Sequence, residues 1–257
     1  RILTVHDLRR YMMPEMYKKS KLGLFELAVK RADHFIAVSA STKNDLCNVF
    51  EIPQEKVDVV HLAAGVNLKP LEEIEKAEAK KNLSNKFGTN LENYLLVFSS
   101  PDRRKNITRT IQAFLLAQKQ LPNNFKLVIV GSGPKNDDSF MDIASAKSTD
   151  NIVFTGLIDD TADLFRCAKG LIFASLYEGF GIPILEAFAS GVPVITSNCS
   201  SMPEVAGDAA LYVDPRDAMS IAQAIVKLCN DTETKDRLIA KGLEQQKNFS
   251  WSKTAAE

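Results

Sequence analysis

"SLYEGFGIPILEAFASGVPVITS", residues 175–197, decides the reading of this 257-residue chain. The apolar run "LIFAS" (171–175) leads into it, and "PVITS" (193–197) closes it. Runs that are apolar on successive residues are strands covered on both faces, as in a parallel sheet packed between helix layers. Between them Gly179 and Gly181 permit a tight turn at which main chain can approach a ligand closely. Pro183 suits the first turn of a helix and Gly191 its C-terminal end, which predicts a helix over 183–190. Its free N-terminal amides and its dipole make an anion site. Glu186 lies one turn into this helix, where a carboxylate can accept two hydrogen bonds from a cis-diol such as a ribose. Glu178 stands before the turn, at the mouth of the crevice. Diphosphate binding with a carboxylate at each end suits a sugar nucleotide; a routine strand–turn–helix with solvated acids is the alternative that spacing alone leaves open.

Working outward, the same alternation fills residues 94–257. Strands are predicted at 94–98, 125–130, 151–154, 170–174, 193–197 and 209–213, with helices near 107–120, 161–168, 217–229 and 231–247. This is a doubly wound α/β domain. Residues 1–70 repeat the pattern more briefly, with strands at 2–5, 34–38 and 57–62 and helices over 15–31 and after Ser41 or Thr42. That is part of a second α/β unit, too short to close its own sheet. The highly charged stretch 71–93, poor in large apolar residues, reads as a connector. The chain opens on Arg1 and an apolar run, which reads as a piece whose N-terminus lies upstream.

Composition narrows the partners. Apolar residues make up 45% and the 32 basic and 32 acidic side chains balance, so the chain has enough apolar matter for a core and no global field for nucleic acid. Residues 1–43 nevertheless hold nine basic against four acidic side chains, interleaved with Tyr11, Met12, Met13, Met16, Tyr17, Leu24 and Phe25. Residues 9–31 could therefore lean on anionic lipid, or form an ordinary amphipathic helix with a solvated basic face. No apolar run reaches the roughly 20 residues that span a bilayer. Cys47, Cys167, Cys199 and Cys229 are scattered and far from histidines in the sequence, so neither structural zinc nor a disulfide framework is expected, and reduced thiols are the default.

Strand ends of a doubly wound sheet converge on one crevice, so Arg104 and Lys105 of "SSPDRRKN" (99–106) can face the same anion as residues 179–183. There they would neutralise a diphosphate as it departs. "GSG" (131–133) is a turn or a ligand contact, and Leu157 and Ile158 of "TGLIDD" could flank a base. His6 follows a strand, and a lone histidine is more often structural than catalytic. His34 and His61 border buried strands.

With these residues assembled, residues 94–215 resemble the C-terminal domain of retaining glycosyltransferases of family 4, the glycosyl transferases group 1 type. Glu178 and Glu186 match that family's E-x7-E motif, with Ala174 where proline is usual. "RRKN" resembles its phosphate-binding "PRKN", Arg103 replacing the proline, and Ser99 and Ser100 stand where many relatives carry another arginine. "TVHDL" and "HFIAVSASTKNDL" resemble its N-terminal domain, making His6 the counterpart of its active-site histidine. The resemblance implies the GT-B fold of two Rossmann-like doubly wound domains, the N-terminal one only partly present: residues 1–70 from the acceptor side, 71–93 the connector, 94–257 the donor-binding domain. It implies missing N-terminal strands and a missing final helix that crosses back. It also implies a retaining hexosyltransferase using a nucleoside diphosphate sugar, without metal or cofactor. His6, Glu178, Arg104 and Lys105 would act at the reacting centre, and Gly179, Phe180, Gly181, Ile182, Glu186 and Ile158 would bind the donor. "HDL…PEMY" with the "RRKN" loop resembles mannosyltransferases of bacterial surface-polysaccharide assembly, so GDP-mannose is the first donor expected. A saccharide or lipid-linked acceptor and a cytoplasmic place, at the inner face of the membrane where residues 9–31 touch it, go with that reading. A non-catalytic nucleotide-sugar-binding module and a same-fold epimerase are the alternatives. A phosphorylase would need a pyridoxal lysine motif, and the sequence shows none.

Overall fold

The computed structural model describes residues 1–17, 23–65, 68–122, 124–133, 140 and 150–257. The first unit is a three-stranded parallel sheet of β1 (Ile2–Val5), β2 (His34–Ala37) and β3 (Val57–Val59), in that spatial order. Val5, Leu8, Phe35, Leu46 and Val57 form its core. After α1 (Arg9–Met12), the helix expected over 15–31 is a 3-10 turn at Pro14–Met16 where it should begin and α2 (Gly23–Arg31) where it should end. Pro14 suits the start of the 3-10 turn, because its fixed φ fits and its missing N–H is not needed there. Tyr11 packs edge-on against Phe50, with ring centroids 5.0 Å apart, so part of the apolar set faces inward, while Leu24 is 84% exposed. Lys18, Lys19 and Lys21 lie outside the described residues. α3 (Ala40–Phe50) starts earlier than expected, because the Ser39 side chain caps it by accepting from the Thr42 amide at 3.0 Å.

The connector expected at 71–93 is largely the helix α4 (Glu73–Phe87), closed by Gly88 at φ +63°. Its charge concealed a narrow buried face: Ala79 and Leu83 join the core of the second unit, and Lys80 buries its stem while its ammonium reaches Glu92 at 2.6 Å. The segment is thus packed on the second unit.

That second unit is a six-stranded parallel sheet of β4 (Asn93–Ser99), β5 (Phe125–Gly131), β6 (Ile152–Gly156), β7 (Gly170–Phe173), β8 (Val194–Ser197) and β9 (Ala210–Val213). Its helices are α5 (Ile107–Ala117), α6 (Ala162–Cys167), α7 (Ile182–Ala189), α8 (Met202–Ala206), α9 (Ala218–Asn230) and α10 (Thr232–Gln245), followed by α11 (Trp251–Ala256). The spatial order β6-β5-β4-β7-β8-β9 reverses direction between β4 and β7. β4 stays in register with β5 as far as Ser99↔Gly131, but its pairing with β7, which begins at Leu95↔Gly170, goes no further than Leu96↔Leu171. The carboxyl ends of the two central strands therefore part, and a crevice opens at the switch point, where open α/β sheets bind ligands.

The two units meet through polar clasps. Glu204 on α8 accepts from the amides of Ala40 (2.8 Å) and Ser41 (3.2 Å) at the start of α3, and from His61 Nε2 at 2.7 Å. The chain also crosses back by its end: Trp251 Nε1 donates to the Ala64 carbonyl at 2.9 Å, and the Thr254 hydroxyl to that of His61 at 2.6 Å. The return to the first unit is thus already made by α11, within a segment the sequence left short of it.

The Glu204 hydrogen bond raises the His61 pKa above its ordinary 6.5, against the effect of burial. Burial pushes Glu204 up, but His61 and the two amides hold it below its ordinary 4.5. Glu204 thus contributes stability above pH 4.5 that is lost as pH falls, and His61 contributes stability below pH 6.5 that is lost as pH rises. Melts of the wild type from pH 6 to pH 9 should therefore lose about 1 kcal/mol, roughly 2–4 °C in Tm, more than those of Glu204→Gln.

Candidate active site

β4 delivers the chain into residues 100–106, one wall of the crevice. The Asp102 side chain accepts from the Arg104 amide at 3.1 Å and starts a 3-10 turn over Arg103–Lys105. Asn106 ends this turn at φ +58°, a left-handed conformation that asparagine tolerates. Its side-chain amide donates to the carbonyls of Ala174 (2.9 Å) and Pro215 (2.7 Å), pinning the loop to the end of β7. The final asparagine of "RRKN" is therefore structural.

β7 delivers the opposite wall. Glu178 is 7% exposed, and its carboxylate meets Arg104 Nη1 through Oε2 and Lys105 Nζ through Oε1, the latter at 2.7 Å. Arg104 Nη1 also donates to the Tyr177 carbonyl at 3.0 Å, and Nε to Asp102 Oδ2 at 3.0 Å. Lys105 sits over the Phe173 ring, 4.9 Å from its centroid. Burial would raise the Glu178 pKa, but Lys105 and Arg104 hold it below its ordinary value, so the carboxylate is charged.

The motif's main chain is strapped from both units. Ser39 and Thr42 hydroxyls donate to the Gly179 carbonyl at 2.7 and 3.1 Å. Ser200 and Ser201 hydroxyls donate to the Glu178 carbonyl, and Ser201 also to that of Phe180. The Tyr177 hydroxyl donates to Asp45 at 2.7 Å and accepts from the Leu8 amide at 3.3 Å. A Cβ on Gly179 would lie 1.7 Å from the His6 carbonyl oxygen. Only glycine lets the two units close at this point.

His6, exposed at the end of β1, lines a cleft of about 210 Å³ with Asp7, Glu178 and residues Gly179–Pro183. Gly181, at φ +127°, turns the chain into α7. The geometry thus gathers His6, Glu178, Arg104, Lys105 and the 179–182 turn. Three other expected contacts sit differently. The Phe180 side chain is 4% exposed and packs with His61 and Phe249, with centroids 5.9 and 5.8 Å away, leaving its main chain to face the cleft. Glu186 accepts from the Gly65 amide, and burial raises its pKa. Ile158 packs against the core, while its neighbour Leu157 is 87% exposed. Sequence reading missed Asp102, Tyr177, Ser39, Thr42, Asp45, Ser200 and Ser201. Ser39 and Asp102, each a capping residue ahead of a helical turn, carry a local signal.

Residues 72–245 match the sequence model of the family described as Glycosyl transferases group 1, and residues 1–67 that of Glycosyltransferase Family 4. The chain belongs to the glycosyl transferases group 1 family. It is 30% identical over 257 residues to the O-antigen chain mannosyltransferase B of Escherichia coli, covering 97% of this chain and 66% of that protein. It is 29% identical over 268 residues to the serotype-specific mannosyltransferase WbdA of the same species, covering 99% of this chain and 32% of that one. The chain thus spans 66% and 32% of these relatives' lengths. Among solved structures it is similar to sucrose-phosphate synthase (tll1590) from Thermosynechococcus elongatus, with TM-score 0.79, 22% identity, and coverage of 99% of this chain and 65% of that one. Anabaena Alr3699/HepE in complex with UDP and glucose gives TM-score 0.82 at 19% identity, covering 99% and 69%. The fold of this family member is GT-B.

Replacing Glu178 by glutamine removes the carboxylate that Arg104 and Lys105 share and leaves Arg104 with Asp102 alone, and the urea midpoint should fall by the equivalent of about 3 kcal/mol. The Glu178 contribution is held above pH 4.5 and lost as pH falls through its lowered pKa, so the stability gap between the wild type and Glu178→Gln should narrow as the melts are taken below pH 4.5. Gly179→Ala should weaken the docking of the two units and show as a broadened, earlier melt.

Proposed function

We propose that this chain is the donor-binding core of a retaining glycosyltransferase that moves a hexose, mannose, from a nucleoside diphosphate sugar to a saccharide or lipid-linked acceptor. The observation that carries this reading is the Arg104–Lys105–Glu178 cluster at the switch-point crevice beside the 179–182 turn. Two cations from one turn, with the free amides at the start of α7, suit a diphosphate whose negative charge grows as it leaves. In the step proposed, the acceptor hydroxyl forms the new bond to the anomeric carbon on the face that the diphosphate leaves. The bond from that carbon to the diphosphate oxygen breaks, and the departing phosphate takes the hydroxyl proton. Arg104 and Lys105 hold the charge on the leaving group, which makes the reading metal-independent and free of any cofactor.

When the diphosphate takes over Arg104 and Lys105, the Glu178 carboxylate becomes available to orient the hexose. His6 would contact sugar hydroxyls from the opposite wall, and Glu186 would exchange the Gly65 amide for ribose hydroxyls. Mannose, and with it GDP-mannose, is supported by the names of the Escherichia coli relatives. A UDP-sugar is the competing donor, supported by the UDP bound in the Anabaena structure. A cytoplasmic setting belongs to this reading, and peripheral membrane contact through residues 9–31 is supported by the exposure of Leu24 and Leu27, one helical turn apart beside Lys30 and Arg31. Among the described residues no helix is long and apolar enough to cross a membrane.

In the full-length protein, Lys105→Ala should lower kcat by about a hundredfold while the KM for GDP-mannose changes far less, because the lost charge acts on the leaving group. GDP release at the wild-type rate in that variant would remove the leaving-group role. Binding of GDP-mannose without GDP release in the wild type, across varied acceptors, would favour a binding module instead.

A further inference from the structure

We propose that Asp102 is a positioning residue through which Tyr17 of the acceptor-side unit sets the guanidinium plane of Arg104; the inference rests on the reading of Arg104 given above. Tyr17 was chosen by sequence only as part of a lipid-facing surface, yet its hydroxyl donates to Asp102 Oδ1 at 2.6 Å. The same oxygen accepts from the Arg104 amide at 3.1 Å, and Oδ2 accepts from Arg104 Nε at 3.0 Å. Arg9 Nη1 lies 3.6 Å from Oδ2 and completes the set. One carboxylate therefore joins two side chains of the first unit to both the main chain and the side chain of the phosphate-loop arginine.

Geometry explains why this junction matters. Arg104 is 9% exposed, with Nε committed to Asp102 and Nη1 to Tyr177 and Glu178. Anchoring Nε at one edge and Nη1 at the other fixes the orientation of the planar group. Among the described residues Nη2 has no protein acceptor, so it is the edge left for a phosphate oxygen. Tyr17 is itself held, with the guanidinium carbons of Arg9 and Arg10 each 5.9 Å from its ring centroid. Closing the first unit onto the loop brings in the phenol; opening it removes one of the partners that fix Asp102. The pair therefore links closure of the cleft to the alignment of the group that meets the leaving diphosphate. Tyr17 and Asp102 touch no reacting atom in this scheme.

The test is a double-mutant cycle in the full-length protein, reading GDP release from GDP-mannose with a mannose-terminated oligosaccharide as acceptor. Tyr17→Phe should lower kcat about tenfold, the worth of one hydrogen bond to a charged group, with the KM for GDP-mannose changed less than about twofold. Asp102→Asn should lower kcat at least as much. The double variant should match Asp102→Asn alone, because Tyr17 acts only through that carboxylate. If Asp102→Asn fails to fold, Asp102→Ser, which keeps an acceptor for the Arg104 amide, takes its place in the cycle. Effects that multiply, about a hundredfold in the double variant, would overturn the link, as would Tyr17→Phe with wild-type kcat. Failure of the wild type to bind GDP-mannose or UDP-glucose by calorimetry would overturn the underlying site reading, and would be seen before any variant is made.

Discussion

A carboxylate buried like that of Glu178 is tolerated only where positive charge meets it, because taking an unpaired ion out of water costs several kcal/mol. Here both charges come from neighbouring positions of one 3-10 turn, Arg104 and Lys105. That requirement fixes how the loop after β4 must sit against the loop after β7. It explains the Asp102 cap that starts the turn, and the left-handed Asn106 that ends it and ties it to Ala174. The ion cluster also keeps the crevice at the switch point lined with charge of both signs.

The same segment is the seam between the two units. Carbonyls of residues 178–180 would be costly to bury unsatisfied, and they are satisfied by hydroxyls from Ser39 and Thr42 on one side and Ser200 and Ser201 on the other. Gly179 then has no room for a side chain, since the His6 carbonyl occupies the place a Cβ would take. A loop held from both sides in this way presents its amides in one orientation, which is what a preorganised anion site requires. Around the apolar joint of Phe180, His61 and Phe249, where Val38 and Leu62 also pack, polar contacts hold the units: the Glu204 and Tyr177 clasps, and the return of Trp251 and Thr254 to the segment after β3. Such interfaces permit relative motion of their domains.

Legibility in the sequence followed the size of the local signal. The middle of β4 and all of β7 are apolar on successive residues because helices cover both their faces, and they were visible on that ground. α4 was not: its buried face consists of Ala79, Leu83 and the stem of Lys80, too little apolar matter to show against the surrounding charge. The start of the helix expected over 15–31 failed for the opposite reason, because an apolar and basic run looked continuous while Pro14 starts a 3-10 turn there. Phe180 was read as a donor contact because it lies within the motif, but its ring fills the joint with His61 and Phe249.

By itself the sequence determined the alternation of strand and helix, the glycines at which the chain must turn, and the approach of Arg104, Lys105 and Glu178 to one crevice. These follow from local periodicity, backbone freedom and the rule that strand ends in a doubly wound sheet converge. Only the tertiary structure decided which partner each of these groups takes. That Glu178 bridges Arg104 and Lys105, that Tyr17 meets Asp102, and that Glu204 caps a helix of the other unit all pair residues at least 73 positions apart, or at 85 and more across the units. Partners so distant leave no periodicity in the chain, because their meeting is fixed by packing of the two sheets and not by local geometry.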